Sequence, residues 1–207
     1  MSFKPKVYLI DDDADVRKLL VASLAFHDIQ ADDFASAEAF LSYAHQDIAG
    51  CIVLDLKMPG MNGLELQQAL IGKDIHTPVI FVTAHGDVAQ SAEAFKAGAF
   101  DFLEKPFSQE TLVKAIELAF SKDADSRQNR ALKVEHRARF EKLTTRESEI
   151  MRMLIEGSAN HSSKEIAKVL RVSPRTVEHH RTRILEKTQA HSVAELVKFA
   201  ALAGLEY

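Results

Sequence analysis

Three stretches of the chain, residues 7–10, 51–54 and 79–82, are continuous apolar runs rich in β-branched side chains. Runs of that length and composition fit strands buried on both faces, which need helices above and below them. Residues 31–34 and 101–103 are weaker strand candidates. Between the runs, apolar residues recur at helical spacing: Val16, Leu19, Leu20 and Leu24 in one segment, Ala37, Phe40 and Leu41 in another. Asp87 is placed to cap a helix over 88–96, and Ser108 another over 109–120. Strands alternating with helices predict an α/β fold, a doubly wound parallel sheet covered on both faces.

Beyond residue 120 the chain changes character. Residues 122–130 are polar without an apolar period, and 131–140 carry only a weak apolar stripe. Residues 121–142 read as a linker, or as a helical extension of the preceding element. The remainder is all helical by pattern. Thr144 with Glu147, Ser162 with Glu165 and Ser192 with Glu195 each match the capping box, where a hydroxyl accepts from the third helical amide and a glutamate reaches back. Ser173 precedes Pro174, a cap before a proline at the first helical position. Four such starts, each opening an apolar-periodic stretch, predict an all-α domain of four short helices over 143–207, after a first domain over 1–120.

Charge follows the same division. Residues 1–120 hold 18 acidic against nine basic residues, whereas 121–207 hold 12 against 17, giving −9 and +5 within the formal total of −4. An acidic half joined to a basic half suggests two domains with different partners. The sequence is 46% hydrophobic, enough to build real cores. No apolar run approaches the roughly 18 residues of a membrane span. The charged start lacks the apolar region of a signal peptide, and the single cysteine, Cys51, excludes a disulfide framework. The expected location is the cytoplasm, with no membrane partner.

Ligands of open parallel sheets bind beyond the carboxyl ends of the strands. The first strand candidate runs into Asp11, Asp12 and Asp13, the third into Asp55, the fourth into Thr83, and the fifth is followed by Lys105. If the first and third strands are neighbours, Asp11, Asp12 and Asp55 converge. Three close carboxylates need a cation, and oxygen-only ligands suit Mg²⁺. A carboxylate there can take a phosphoryl group, with Lys105 neutralising charge, Thr83 donating a hydroxyl, and the small Ala84 leaving a path for the donor. Each residue also has an ordinary reading: Asp11 to Asp13 as helix caps, Asp55 as a loop carboxylate, Thr83 as a strand end, Lys105 as a solvated charge. Their joint placement at strand ends favours a site.

Residues 5–120 resemble a response-regulator receiver domain. The resemblance rests on Leu9-Ile10-Asp11-Asp12-Asp13, on Val53 to Gly60 around Asp55, on Val82-Thr83-Ala84-His85-Gly86, and on Asp101 to Phe107 around Lys105. It implies a flavodoxin-like, five-stranded sheet in the order 2-1-3-4-5. It implies Asp55 as phosphoacceptor, Mg²⁺ held by Asp11, Asp12, Asp55 and the Lys57 carbonyl, and phosphoryl contacts from Thr83, Ala84 and Lys105. Lys105-Pro106 is expected to be a cis peptide. Thr83 and Phe102 fall at the family's switch positions, although Phe102 also reads as a plain core ring. Such a switch remodels the face between the 88–96 helix and the fifth strand, where the family commonly dimerises.

In the basic half, helix 163–170, a turn at Arg171-Val172 and helix 173–188 read as a helix-turn-helix. From His161 to Lys198 there are eight basic against four acidic residues. Leu143 to Glu147, Glu165 to Ala167, Val172 to His180, Ile184 to Lys187 and Ala194 to Val197 resemble the LuxR-type output domain of NarL/FixJ response regulators. That likeness implies base contacts from Glu178, His179 and Thr182, and phosphate contacts from Lys164, Arg175, Thr176, Arg181 and Lys187. Glu178 could instead pair with Arg181 or Thr182. The last helix would pair two copies on DNA. Two departures stand out: the loop over 158–163 is longer than usual, and Thr188 replaces a commonly apolar residue.

The expected function is a transcriptional regulator phosphorylated on Asp55 by a histidine kinase, dimerising to bind double-stranded DNA, with RNA polymerase as a further candidate partner. It would not be an enzyme beyond its own phosphorylation and slow dephosphorylation. A Mg²⁺-dependent phosphohydrolase is the alternative, against which Lys57 stands where a second acid belongs. Another is a phosphate sink without DNA readout.

Overall fold

The computed structural model describes residues 4–84, 94–156 and 162–205. Its elements are β1 (Lys6–Ile10), α1 (Ala14–Ala25), β2 (Ala31–Phe34), α2 (Ala37–Tyr43), β3 (Gly50–Asp55), α3 (Gly63–Gly72), β4 (Val79–Thr83), β5 (Asp101–Glu104), α4 (Gln109–Phe140), α5 (Thr145–Glu156), α6 (Ser163–Leu170), α7 (Pro174–Thr188) and α8 (Val193–Leu202). The strands form one five-stranded sheet, order β2-β1-β3-β4-β5, and every pairing is parallel. The chain separates into two compact units, Met1–Ser126 and Arg127–Tyr207.

The apolar runs are explained by side chains alternating between two cores. Tyr8, Ile10, Ile52, Leu54 and Phe81 enter one core with Phe40 of α2 and Leu66 and Leu70 of α3. Val7, Leu9, Cys51, Val53, Ile80 and Val82 enter the other with Leu20 and Leu24 of α1 and Leu112 and Ile116 of α4. Each fully buried Leu, Ile or Phe contributes about 1.5–3 kcal/mol. The weaker strand signals belong to the sheet edges, where β2 has no fully buried residue and β5 has one.

The predicted helical stripe needs one correction. Leu20 and Leu24 are buried, but Leu19 is 69% exposed. Leu19 lies about 100° around the helix from Leu20, beyond the edge of the buried face. Helix α3 carries a capping box that the sequence reading passed over: Glu65 N donates to Asn62 Oδ1 and Asn62 N to Glu65 Oε2. Asn62 followed three residues later by Glu65 is the signal that was available. Residues 94–96 are helical, but Asp87 and the start of the predicted 88–96 helix lie outside the described residues.

The segment read as linker or helical extension is helix: α4 runs 32 residues to Phe140. Buried Asp123 accepts from the Gly50 amide at 2.9 Å, fastening this helix to the start of β3. No helix among the described residues is long and apolar enough to cross a membrane.

The second unit packs Phe140, Ile150, Leu154, Ile166, Val177, Ile184, Leu196 and Ala200 into one core. Thr144 and Glu147 exchange both capping bonds, as do Ser162 and Glu165. Ser173 caps α7 with Pro174 in its first turn. The third box is half made. Ser192 Oγ accepts from Glu195 N, while the Glu195 carboxylate takes the amide of His191 instead. Thr188 is fully buried, and its hydroxyl donates to the Ile184 carbonyl at 2.7 Å, so the polar departure is satisfied within its own helix. Of the lengthened loop, residues 158–161 lie outside the described residues.

Candidate functional sites

Asp55 closes β3, Thr83 closes β4, Asp11 follows β1 and Lys105 follows β5. The adjacency of β1, β3 and β4 places these ends together. Lys105 Nζ bonds Asp11 Oδ2 at 2.9 Å and Asp55 Oδ1 at 3.4 Å. Asp11 and Asp55 are 4% and 9% exposed. The Lys57 amide donates to Asp55 Oδ2 at 2.9 Å, and the Thr83 carbonyl accepts the Lys105 amide at 2.7 Å. Thr83 is buried, and Ala84 beside it is exposed. The Lys105-Pro106 peptide is cis, as the resemblance implied.

Burial pushes the Asp55 carboxyl above its ordinary value and neighbouring Asp11 adds to that, while Lys105 and the Lys57 amide pull against it. Burial works against the charge on Lys105, but Asp11 and Asp55 outweigh it and hold the ammonium. The ammonium thus has two carboxylate partners, whereas Asp55 has only a share of one cation and one amide. The three predicted carboxylates are not all brought onto one partner. Asp12 is exposed and takes no part in the Lys105 bonds, and among the described residues no ready three-ligand metal cluster stands assembled. Two buried carboxylates around one ammonium leave negative charge uncompensated. With Asp12 and a backbone carbonyl nearby in sequence, this oxygen-only donor set fits a hard divalent cation.

The acidic run divides its duties. Asp13, not Asp11 or Asp12, caps α1, accepting from the amides of Asp15 and Val16. Two supporting residues were not legible as functional. Arg17 Nη1 donates to the carbonyls of Asp11 and Asp12, and Glu38 Oε1 accepts the Met61 amide at 2.9 Å in the loop after Asp55. Gly63 is needed because a Cβ there would meet the Asp55 carbonyl at 2.6 Å.

Phe102 is half-buried on β5, its ring 6.4 Å from Phe81 and packed against the α2–α3 core. Thr83 lies two residues after Phe81 on β4, and alternation puts it on the same sheet face as Phe102.

In the second unit, α6 ends at Arg171, which takes a left-handed conformation (φ 53°), and α7 starts at the Ser173 cap. Val177, Ile184 and Thr188 of α7 are buried. At 100° per residue the opposite face carries Arg175, Glu178, His179, Thr182 and Arg183, all exposed. Lys164 is exposed at the start of α6. Thr176 shares a hydroxyl contact of 2.8 Å with Ser173, and Arg181 reaches Ser163 Oγ at 3.3 Å. Thr182 donates to the backbone carbonyl of Glu178, not to its carboxylate.

Lys187 has a partner within the protein: its ammonium bonds buried Glu147 at 2.6 Å, joining α7 to α5, while its side chain stays 31% exposed. Burial works against Glu147, but the Lys187 and Thr144 hydrogen bonds outweigh it and hold its carboxyl down at about 2. The capping-box match at Thr144 revealed Glu147 as a cap, while its partner 40 residues away carried no local signal.

Comparison with known proteins agrees with both halves. The response regulator receiver domain family matches residues 7–117, and the bacterial regulatory proteins of the luxR family match residues 141–200. The transcriptional regulatory protein FixJ of Azorhizobium caulinodans is 40% identical over 199 residues, covering 96% of this chain and 93% of that protein. FixJ of Rhizobium meliloti is 39% identical over 204 residues, covering 96% of each. Among solved structures, the response regulator StyR superposes with a TM-score of 0.83 at 37% identity, covering 96% of this chain and 99% of that one. Full-length FixJ from B. japonicum gives 0.59 at 37% identity, with each chain wholly covered. A receiver followed by a LuxR-type DNA-binding domain, aligned end to end with FixJ, makes this chain a member of the NarL/FixJ family of two-component response regulators.

Proposed function

We propose that this transcriptional regulator is switched by phosphorylation of Asp55 by a histidine kinase. The observation that carries the reading is the pairing of one ammonium, Lys105, with two buried carboxylates at adjoining strand ends. A carboxylate oxygen of Asp55 bonds to phosphorus as the N–P bond to the kinase histidine breaks, and the imidazole keeps the electron pair and takes up a proton. Lys105 neutralises a phosphoryl oxygen, and the Thr83 hydroxyl donates to another. Asp11, Asp12, Asp55 and the Lys57 carbonyl would hold Mg²⁺, which would supply further positive charge for the transfer.

A new dianion at Asp55 draws Thr83 toward it and opens space for Phe102 on the same sheet face. The receiver over 1–120 then dimerises, and the output domains over 143–207, joined through 121–142, bind a two-fold DNA site. Glu178, His179 and Thr182 read base edges, while Lys164, Arg175, Thr176 and Arg181 contact phosphates. Lys187 braces α7 through Glu147 and, with its side chain 31% exposed, is a further phosphate contact. RNA polymerase is a further partner of the DNA-bound dimer, and the protein works in the cytoplasm.

The test compares DNA affinity of the wild type with and without a small phosphodonor, alongside Asp55→Asn. The donor tightens wild-type binding and leaves the variant unchanged. Equal tightening of both would overturn gating through Asp55.

A further inference from the structure

We propose that Arg17 is a positioning residue that holds the Asp11–Asp12 turn in the geometry required for divalent cation binding; this rests on the cation reading above. The guanidinium makes three directed contacts. Nη1 donates to the carbonyl of Asp11 at 2.7 Å and to that of Asp12 at 3.1 Å, and Nε pairs with Asp33 Oδ2 at 3.0 Å. The Arg17 side chain is only 13% exposed. Asp33 stands on β2 opposite Leu9, so the fork ties the neighbouring strand to the turn that leaves β1.

The turn is gripped from two directions. Asp13 N donates to Asp11 Oδ1 at 2.9 Å, while the Asp13 side chain caps α1. Arg17 takes the two carbonyls, which sets the peptide planes after Asp11 and Asp12. Peptide planes set where Cβ atoms project, so the clamp orders the acidic pair without touching either carboxylate. A rigid, always-charged fork can hold two carbonyls and a carboxylate at once; a lysine, as a point charge, cannot match that pattern. The added positive charge behind the turn also lowers the cost of packing Asp11 and Asp12 side by side.

A residue of this kind acts on cation affinity more than on folding. Mg²⁺ titration of the full-length chain by calorimetry, without phosphodonor, separates the two. Arg17→Ala weakens Mg²⁺ binding about tenfold to a hundredfold, the range for groups that orient metal ligands. Arg17→Lys recovers part of the loss, and Asp33→Asn falls between Arg17→Lys and wild type. Circular dichroism checks that each variant is folded at the titration temperature. Folded Arg17→Ala binding Mg²⁺ within about twofold of wild type would overturn the clamp while leaving the cation site intact. Should Arg17→Ala fail to fold, Arg17→Lys carries the decision, and wild-type affinity in that variant overturns the clamp. No Mg²⁺ binding by the wild type itself overturns the cation reading and the clamp with it.

Discussion

Each unit buries a carboxylate against a lysine, and the two pairs are in opposite condition. Glu147 receives Lys187, the Thr144 amide and the Thr144 hydroxyl, and its carboxyl sits at about 2. Asp55 shares its lysine with Asp11, keeps the longer of the two contacts, and its carboxyl lies above the ordinary value. A saturated carboxylate is a brace. An under-compensated one is a place where a cation or a phosphoryl group can find partners. The contrast shows that burial beside a lysine does not by itself mark a functional site; the tally of donors against acids does.

The strongest way to break this contrast is Asp55→Asn. Phosphoryl uptake from a small donor disappears entirely by mass spectrometry. The same change stabilises the first unit near neutral pH. The sign follows from the raised carboxyl: the folded state binds the proton more tightly than the unfolded one, so stability falls as the pH rises through that interval. A neutral amide removes the deficit. Denaturant unfolding showing a less stable variant would mean that Asp55, like Glu147, is a brace.

The second unit responds in the opposite direction. Lys187→Met strands Glu147, which is 2% exposed, and costs about 3–5 kcal/mol. Glu147→Gln costs less, about 1–2 kcal/mol, because Lys187, with its side chain 31% exposed, can turn to water. Equal losses would erase that asymmetry. For Glu147 the folded value is lowered, so its stabilisation is present above 4.5 and is lost as the pH falls toward about 2. Acid titration of the unfolding midpoint shows this slope in the wild type and a flatter one in Glu147→Gln.

Smaller effects sharpen the comparison within the receiver. Gly63→Ala forces a methyl to 2.6 Å from the Asp55 carbonyl and costs about 1–3 kcal/mol, with slower phosphoryl uptake as β3 shifts. Wild-type uptake and stability would show that β3 gives way there. Asn62→Ala removes one capping bond from α3 and costs about 1 kcal/mol by thermal unfolding, with uptake little changed.

How much of this was legible beforehand depended on where the signal resides. The apolar runs at 51–54 and 79–82 announced central strands because both faces of each are buried in this fold. Helix starts at Ser162 and Ser173 were legible because a cap is a contact within four residues. The α1 stripe was misjudged at Leu19 because spacing alone does not set the width of a buried face. The half-made cap at Ser192 was misjudged because Glu195 has a second amide, that of His191, within reach. Glu38 and the Lys187–Glu147 pair were out of reach because their partners lie 23 and 40 residues away, and Arg17 because backbone carbonyls leave no side-chain signal.

The amino-acid order by itself determined the sheet, its alternation with helices, the helix-turn-helix and the clustering of acids at strand ends. The elements follow from periodicity and caps, which act over a few residues, while the strand order that gathers the acids was implied by the family resemblance. Only the tertiary structure decided that Lys105 is shared by Asp11 and Asp55, that Lys187 turns to Glu147, and that Arg17 grips the acidic turn. The two lysine outcomes depend on charges competing across 40 to 94 residues of separation, and the Arg17 grip on where β2 places Asp33, all of which is resolved only once packing has set the distances.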